Sequence, residues 1–297
     1  MASRGTTALT DTDSGLVERP RLWPVFLSCA AAFVAIVAFS LLAAATVRSL
    51  YPDLSDQTVF EGLPGLLAGT LASSAAFVLT ALIASGGAAP AALRLLPGRE
   101  TGRTLLLTVI GMLSLGQALD SLTVLAGLAQ HGNMKIIRGA LYQVAGPDLV
   151  LAVLIVGVLA GTAEEVFFRG YVQTRLVQRL PRGAAVIVTS ICFGAFHLDW
   201  LHSLLALVLG LYLGWITELT GSALPAVVCH VVNNALFTLV TSRWGGIDGV
   251  QTNVALAAAG ALVFAGVVAG LRHAPSTPVE GAWFTSVALR VWKRLRR

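Results

Sequence analysis

Glu164 and Glu165 stand side by side in Ala163-Glu164-Glu165-Val166-Phe167-Phe168-Arg169, at the end of an apolar run. His197 closes Phe193-Gly194-Ala195-Phe196-His197, and His230 opens His230-Val231-Val232-Asn233-Asn234 inside another apolar run. Helical residues four apart share a face, so Glu165 can pair with Arg169, and His230 and Asn234 turn two polar groups towards one point. Glu164 lies about 100° round the helix from Glu165 and faces elsewhere. This set suits hydrolysis of an amide bond. A carboxylate beside an imidazole can hold and deprotonate a water, a task for Glu164 and His197. Hydrogen-bond donors on His230 and Asn234 can then stabilise the oxyanion formed when that water attacks a carbonyl. Glu165 and Arg169 need only a structural role, carrying charge at a helix rim, and Phe193 stands with them around the reacting groups.

These groups are unusual because of where they sit. Of the 297 residues 56% are hydrophobic and 12% charged, with a mean hydropathy of +0.80. Soluble domains carry roughly twice that share of charge, so a soluble globular enzyme is excluded. A helix needs about 20 apolar residues to cross a bilayer, and this chain can cross many times. An ionisable group within a span costs at least about 2.5–3.5 kcal/mol, which makes each one a functional candidate. The net charge of +5 fits loops that collect Lys and Arg on one membrane face. No basic stripe with aromatics suggests nucleic acid. Cys29, Cys192 and Cys229 have no spacing that suits a disulfide framework or a zinc knuckle.

The elements that must position the site are therefore transmembrane helices. The hydropathy pattern predicts an all-α, polytopic bundle of about eight spans: 22–47, 66–85 (or on to 96), 104–128, 149–168, 184–197, 201–220, 223–240 and 254–271. The fifth is short, and only Leu198-Asp199-Trp200 separates it from the sixth. With both termini cytoplasmic, Arg94, Arg99, Arg103, Arg175, Arg179 and Arg182 fall inside, while Arg48, Lys135, Arg138 and Arg243 fall outside. A polar tail over 1–21 is expected to be disordered, helices and loops fill 22–147, a catalytic core spans 148–240, a last helix lies in 241–272, and 273–297 forms a basic cytoplasmic tail. Within that tail Trp283–Arg297 is either a segment lying on anionic lipid or a solvated stop-transfer stretch. A short interfacial helix is expected near Met134–Val144. Asp120 and Gln117 are expected to satisfy neighbouring backbone rather than line a cavity, Glu218 to be interfacial, and the active cavity to lie in the cytoplasmic half. The pairs Gly157/Gly161 and Gly210/Gly214 allow close helix approach.

The three motifs also carry a resemblance. Glu164-Glu165…Arg169, Phe193…His197 and His230…Asn234 resemble, in order, the motifs of the CPBP intramembrane proteases. That group includes CAAX prenyl endopeptidases of the Rce1 type and bacterial bacteriocin-immunity (Abi) proteins. The resemblance covers about residues 148–240 and implies that Glu164 is the catalytic carboxylate, His197 its partner on the water, and His230 and Asn234 the oxyanion site. Family members are commonly labelled metalloproteases, and zinc is possible here through Glu164, His197 and His230. That use of Glu164 would leave only Glu165 as base, Asn234 is a poor zinc ligand, and no H-E-x-x-H is present. The preferred reading is a metal-free intramembrane endopeptidase in the cell membrane, acting on a membrane-associated or lipidated peptide or protein. The oligomeric state is not legible. One alternative is a non-catalytic immunity or scaffold protein. Another is a proton-moving transporter, which the lack of an inverted repeat argues against.

Overall fold

A computed structural model describes residues 21–272; the tails at 1–20 and 273–297 lie outside the described residues. Nine helices of ten residues or more organise the described chain: α1 (Trp23–Leu50), α2 (Leu63–Ala84), α3 (Gly102–Leu125), α4 (Gly132–Leu141), α5 (Gly146–Leu176), α6 (Arg182–Ala195), α7 (Trp200–Thr220), α8 (Leu224–Trp244) and α9 (Val250–Arg272). Seven are long and apolar enough to cross a membrane, while α4 and α6 are too short. The chain is thus the expected all-helical, multi-pass bundle. Pro24, Pro64, Pro147 and Pro225 sit in the first turn of α1, α2, α5 and α8, where a missing N–H costs nothing. The left-handed pair Gly86 and Gly87 ends α2, so it stops well short of Leu96 and a single 3-10 turn, Pro90–Leu93, follows. Large apolar side chains such as Leu41, Ile83 and Leu262 are exposed, as lipid-facing positions are.

Contacts define two ends. At one, Arg94 pairs with Glu218 at 2.6 Å, Arg99 N–H donates to Thr220 O at 2.7 Å, and Ala223 N–H donates to Arg94 O at 2.8 Å. Glu218 is therefore an end-of-helix group, as expected. At the other, Arg138 of α4 pairs with Asp120 of α3 and donates to Gly245 O at 3.3 Å, while Gln143 N–H donates to Ser242 O at 2.9 Å. Asn133 of α4 also reaches His197 O at 3.4 Å. α4 therefore sits over the blunt end of the short α6.

Small residues bring the central helices together. A Cβ on Gly161 of α5 would stand 3.1 Å from Val231 N of α8, and one on Gly157 3.1 Å from Ala235. The backbones touch there because neither glycine carries a side chain. Phe77 of α2, Phe167 and Phe168 of α5, and Phe193 and Phe196 of α6 stack edge-to-face and tilted, with centroids 5.0–5.4 Å apart for Phe167–Phe168, Phe168–Phe193, Phe77–Phe167 and Phe168–Phe196. Such pairs contribute about 0.5–1.5 kcal/mol each beyond burial.

Candidate active site

α5 runs on past Phe168 to Leu176, and within it two stretches of widened i→i+5 turns, Val153–Ala160 and Val166–Gln173, bracket a single α turn, Gly161–Glu165. Such insertions gather at functional sites. The α turn preserves the separation of the two carboxylates. Glu165 is fully buried, and its Oε1 accepts from Arg169 Nη1 at 2.7 Å. Glu164 faces the other way and lines an internal cavity of about 330 Å³.

Arg169 is held on three sides. Besides Glu165, it donates from Nη2 to Gly210 O of α7 at 3.0 Å and lies 4.7 Å from the Phe193 ring centroid. One turn on, Gln173 donates to Gly214 O at 3.0 Å and to Glu218 at 2.9 Å. Gly210 and Gly214, read from sequence as packing residues, also leave their carbonyls open to side chains of α5.

His230 completes the buried cluster from α8. Its Nδ1 lies 2.8 Å from Glu165 Oε1, and its Nε2 lies 3.8 Å from Glu164 Oε2. The acceptor Glu165 fixes a proton on Nδ1 and points Nε2 at the cavity. Glu165 thus braces the histidine as well as the arginine. His197 also packs on Phe193, whose ring stands roughly perpendicular to both imidazoles at 5.1 and 5.9 Å. His197 Nδ1 lies 3.0 Å from Phe193 O. A carbonyl only accepts, so this contact puts the proton on Nδ1 and leaves the Nε2 lone pair free. Glu164, His197, His230 and Asn234 all line the one cavity. Asn234 reaches Val156 O at 3.4 Å in the first widened stretch of α5.

Two wall residues escaped sequence reading. Asn233 lines the cavity, 3.4 Å from Asn234 Oδ1, and the asparagine doublet was its only signal. His202 also lines it, with its ring 4.3 Å from that of His197. Asp199 caps α7 by accepting from His202 N–H at 2.9 Å, which folds His202 back beside His197. Asp120 and Gln117 correct the expectation for them, since both line the cavity. Asp120 is spent on Arg138, a long-range partner that spacing could not reveal, and Gln117 donates to Ser121 Oγ at 3.0 Å.

The cavity extends beyond the cluster. Its walls come from the α2, α3, α7 and α8 segments nearest the α4 end, as with Thr70, Asp120, His202 and Thr241. It leads from the cluster away from the arginine-rich end. Among the described residues no group of three or more His, Cys, Asp or Glu side chains is preassembled as a metal site.

Fold and site together define a multi-pass integral membrane protein with a buried carboxylate–imidazole–guanidinium cluster opening on a cavity. Residues 146–236 match the model of the Rce1-like family, described as Type II CAAX prenyl endopeptidase Rce1-like. That segment contains all three motifs, and the resemblance to the CPBP proteases is borne out by it. At the level of the family, the match supports a CAAX-type intramembrane protease. No curated protein and no solved structure matches the chain.

Proposed function

We propose that this protein is a glutamate-dependent, metal-free intramembrane endopeptidase. The observation that carries the reading is the division of labour between adjacent carboxylates: Glu165 is consumed by Arg169 and His230, whereas Glu164 is left facing the cavity. A water between Glu164 and His197 loses its proton to Glu164 as it attacks the scissile carbonyl. The lone pair on His197 Nε2 accepts a hydrogen bond from that water and aligns it. In this reading His230 carries protons on both nitrogens, with Glu165 holding the Nδ1 proton. Nε2–H of His230 and Nδ2–H of Asn234 donate to the oxyanion. Glu164 then returns the proton to the departing amine, as microscopic reversibility requires.

The metal-free form is supported by Asn234, a poor zinc ligand suited to donate to an oxyanion, and by a sequence without H-E-x-x-H. The substrate is a membrane-associated polypeptide; the family description adds prenylated proteins as one class to test.

The test is Glu164→Gln. Cleavage of membrane proteins, read by comparing membrane proteomes of cells carrying either form, is expected to fall by about 10²–10⁴-fold while the variant accumulates and melts normally. Unchanged cleavage products with Glu164→Gln would instead favour the immunity or scaffold reading.

A further inference from the structure

We propose that Cys29 of α1 and Cys192 of α6 form a modification site, at which a hydroperoxide oxidises the two thiols to one disulfide. The bond fastens α1 to the helix that carries Phe193 and leads into His197. Neither cysteine lines the cavity, so the site stands apart from the hydrolase reading above.

Helical spacing sets the two cysteines against each other. Val25, Ser28 and Ala32 are buried near the start of α1. Cys29 and Phe33 flank them on the same stripe, since helical residues three and four apart share a face. Ser28 Oγ lies 3.0 Å from the Tyr171 hydroxyl of α5, which seats that stripe on the bundle. Cys192 and Phe196 are likewise four apart at the end of α6. Phe33 packs on Phe196 with ring centroids 6.1 Å apart. One turn back on both sides, the thiols of Cys29 and Cys192 lie within hydrogen-bond reach of each other. Both cysteines also pack against the apolar cluster that contains Phe77, Phe168 and Phe193. The two contacts are in step, so α1 and α6 run in the same direction along this seam. Cys229 belongs elsewhere, in a second cluster with Met112 and Tyr212.

The chemistry needs one co-reactant, the hydroperoxide. One sulfur attacks the peroxide as thiolate: an S–O bond forms, the O–O bond breaks, and the departing oxygen takes a proton. The second sulfur gives up its proton and attacks the resulting sulfenic sulfur. The S–S bond forms as the S–O bond breaks, and the oxygen leaves as water. With hydrogen peroxide, two thiols and one peroxide give one disulfide and two waters. Cys29 and Cys192 are partly exposed and Cys229 is buried, and oxidation follows exposure. A bond that closes a loop of roughly 160 residues restrains the unfolded chain, because the stabilisation grows with loop length.

The experiment uses the full-length protein in detergent, treated with hydrogen peroxide, then unfolded in SDS and labelled with a maleimide. The unsubstituted chain should fall from three labelled thiols to one, and should be lighter by two hydrogens before labelling. Proteolysis should release Cys29 and Cys192 in one linked peptide, and dithiothreitol should restore all the thiols. Cys29→Ser and Cys192→Ser should form no link, whereas Cys229→Ser should form it as before. The oxidised chain should melt at a higher temperature than the same chain after dithiothreitol. Retention of every thiol would overturn the proposal, as would a link to Cys229, a link between two chains, or oxygen added to one sulfur without a link. Identical melting of the oxidised and reduced chains would overturn the fastening of α1 to α6. The unsubstituted chain carries the main reading, so a variant that fails to fold does not blunt the test.

Discussion

At the scale of single residues, neighbouring glutamates have opposite duties, and substitution should separate them. Removing one partner of a buried ion pair costs about 3–5 kcal/mol because the other charge is stranded. Glu165→Gln strands Arg169 and weakens the hold on His230, so it should lower both the melting temperature in detergent and the activity. Glu164→Gln should lower activity alone, since Glu164 braces nothing at hydrogen-bond distance; its nearest charged-group partner is His230 at 3.8 Å. Asn234→Ala removes one proposed oxyanion donor and should cost about 10²–10³-fold in kcat, with a KM that changes little because the charge it meets exists only in the transition state. Equal loss of melting temperature for Glu164→Gln and Glu165→Gln would break the distinction.

At the scale of helices, the cluster exists because α5 and α8 touch without side chains between them. Gly161→Leu forces a branched side chain against Val231 of α8, where a single Cβ already stands at 3.1 Å. Overpacking costs about 1–3 kcal/mol, and the displacement should pull His230 from Glu165. The variant should lose activity out of proportion to its lost stability, measured as melting temperature against residual cleavage. The turn between α6 and α7 offers a milder test. Leu198 there holds a left-handed φ of 55°, and Asp199 caps α7. Asp199→Ala should cost about 0.5–2 kcal/mol through the lost cap and loosen His202 beside His197, a change visible as faster hydrogen exchange in the first turn of α7.

At the scale of the whole molecule, the bundle is asymmetric: bonded and closed at the arginine-rich end, hollow towards α4. Asp120 and Arg138 tie α3 to α4 at the hollow end, and Arg138 also reaches the α8–α9 turn through Gly245. Asp120→Ala should therefore destabilise the fold by about 3–5 kcal/mol, and thermal melting in detergent would register it. Metal removal tests the mechanism at the same scale. Protein dialysed against EDTA should retain its cleavage rate, with metal content well below one ion per chain by elemental analysis. Loss of activity that returns on adding zinc would replace the metal-free mechanism with a zinc-dependent one.

The sequence by itself determined what local chemistry can determine. Hydropathy placed the helices, because a span must be apolar along its whole length. Four-residue spacing paired Glu165 with Arg169 and turned Glu164 away, because a helix fixes the directions of near neighbours. The short fifth span and the glycine pairs were equally legible. Only the tertiary structure decided which distant groups meet: His230 with Glu165 across 65 positions, Asp120 with Arg138, Arg169 and Gln173 with the carbonyls of Gly210 and Gly214. The widened turns of α5 and its continuation to Leu176 were likewise decided there. Those outcomes depend on how helices cross and how far each extends. Both are fixed by packing among all the helices together, which no single segment encodes.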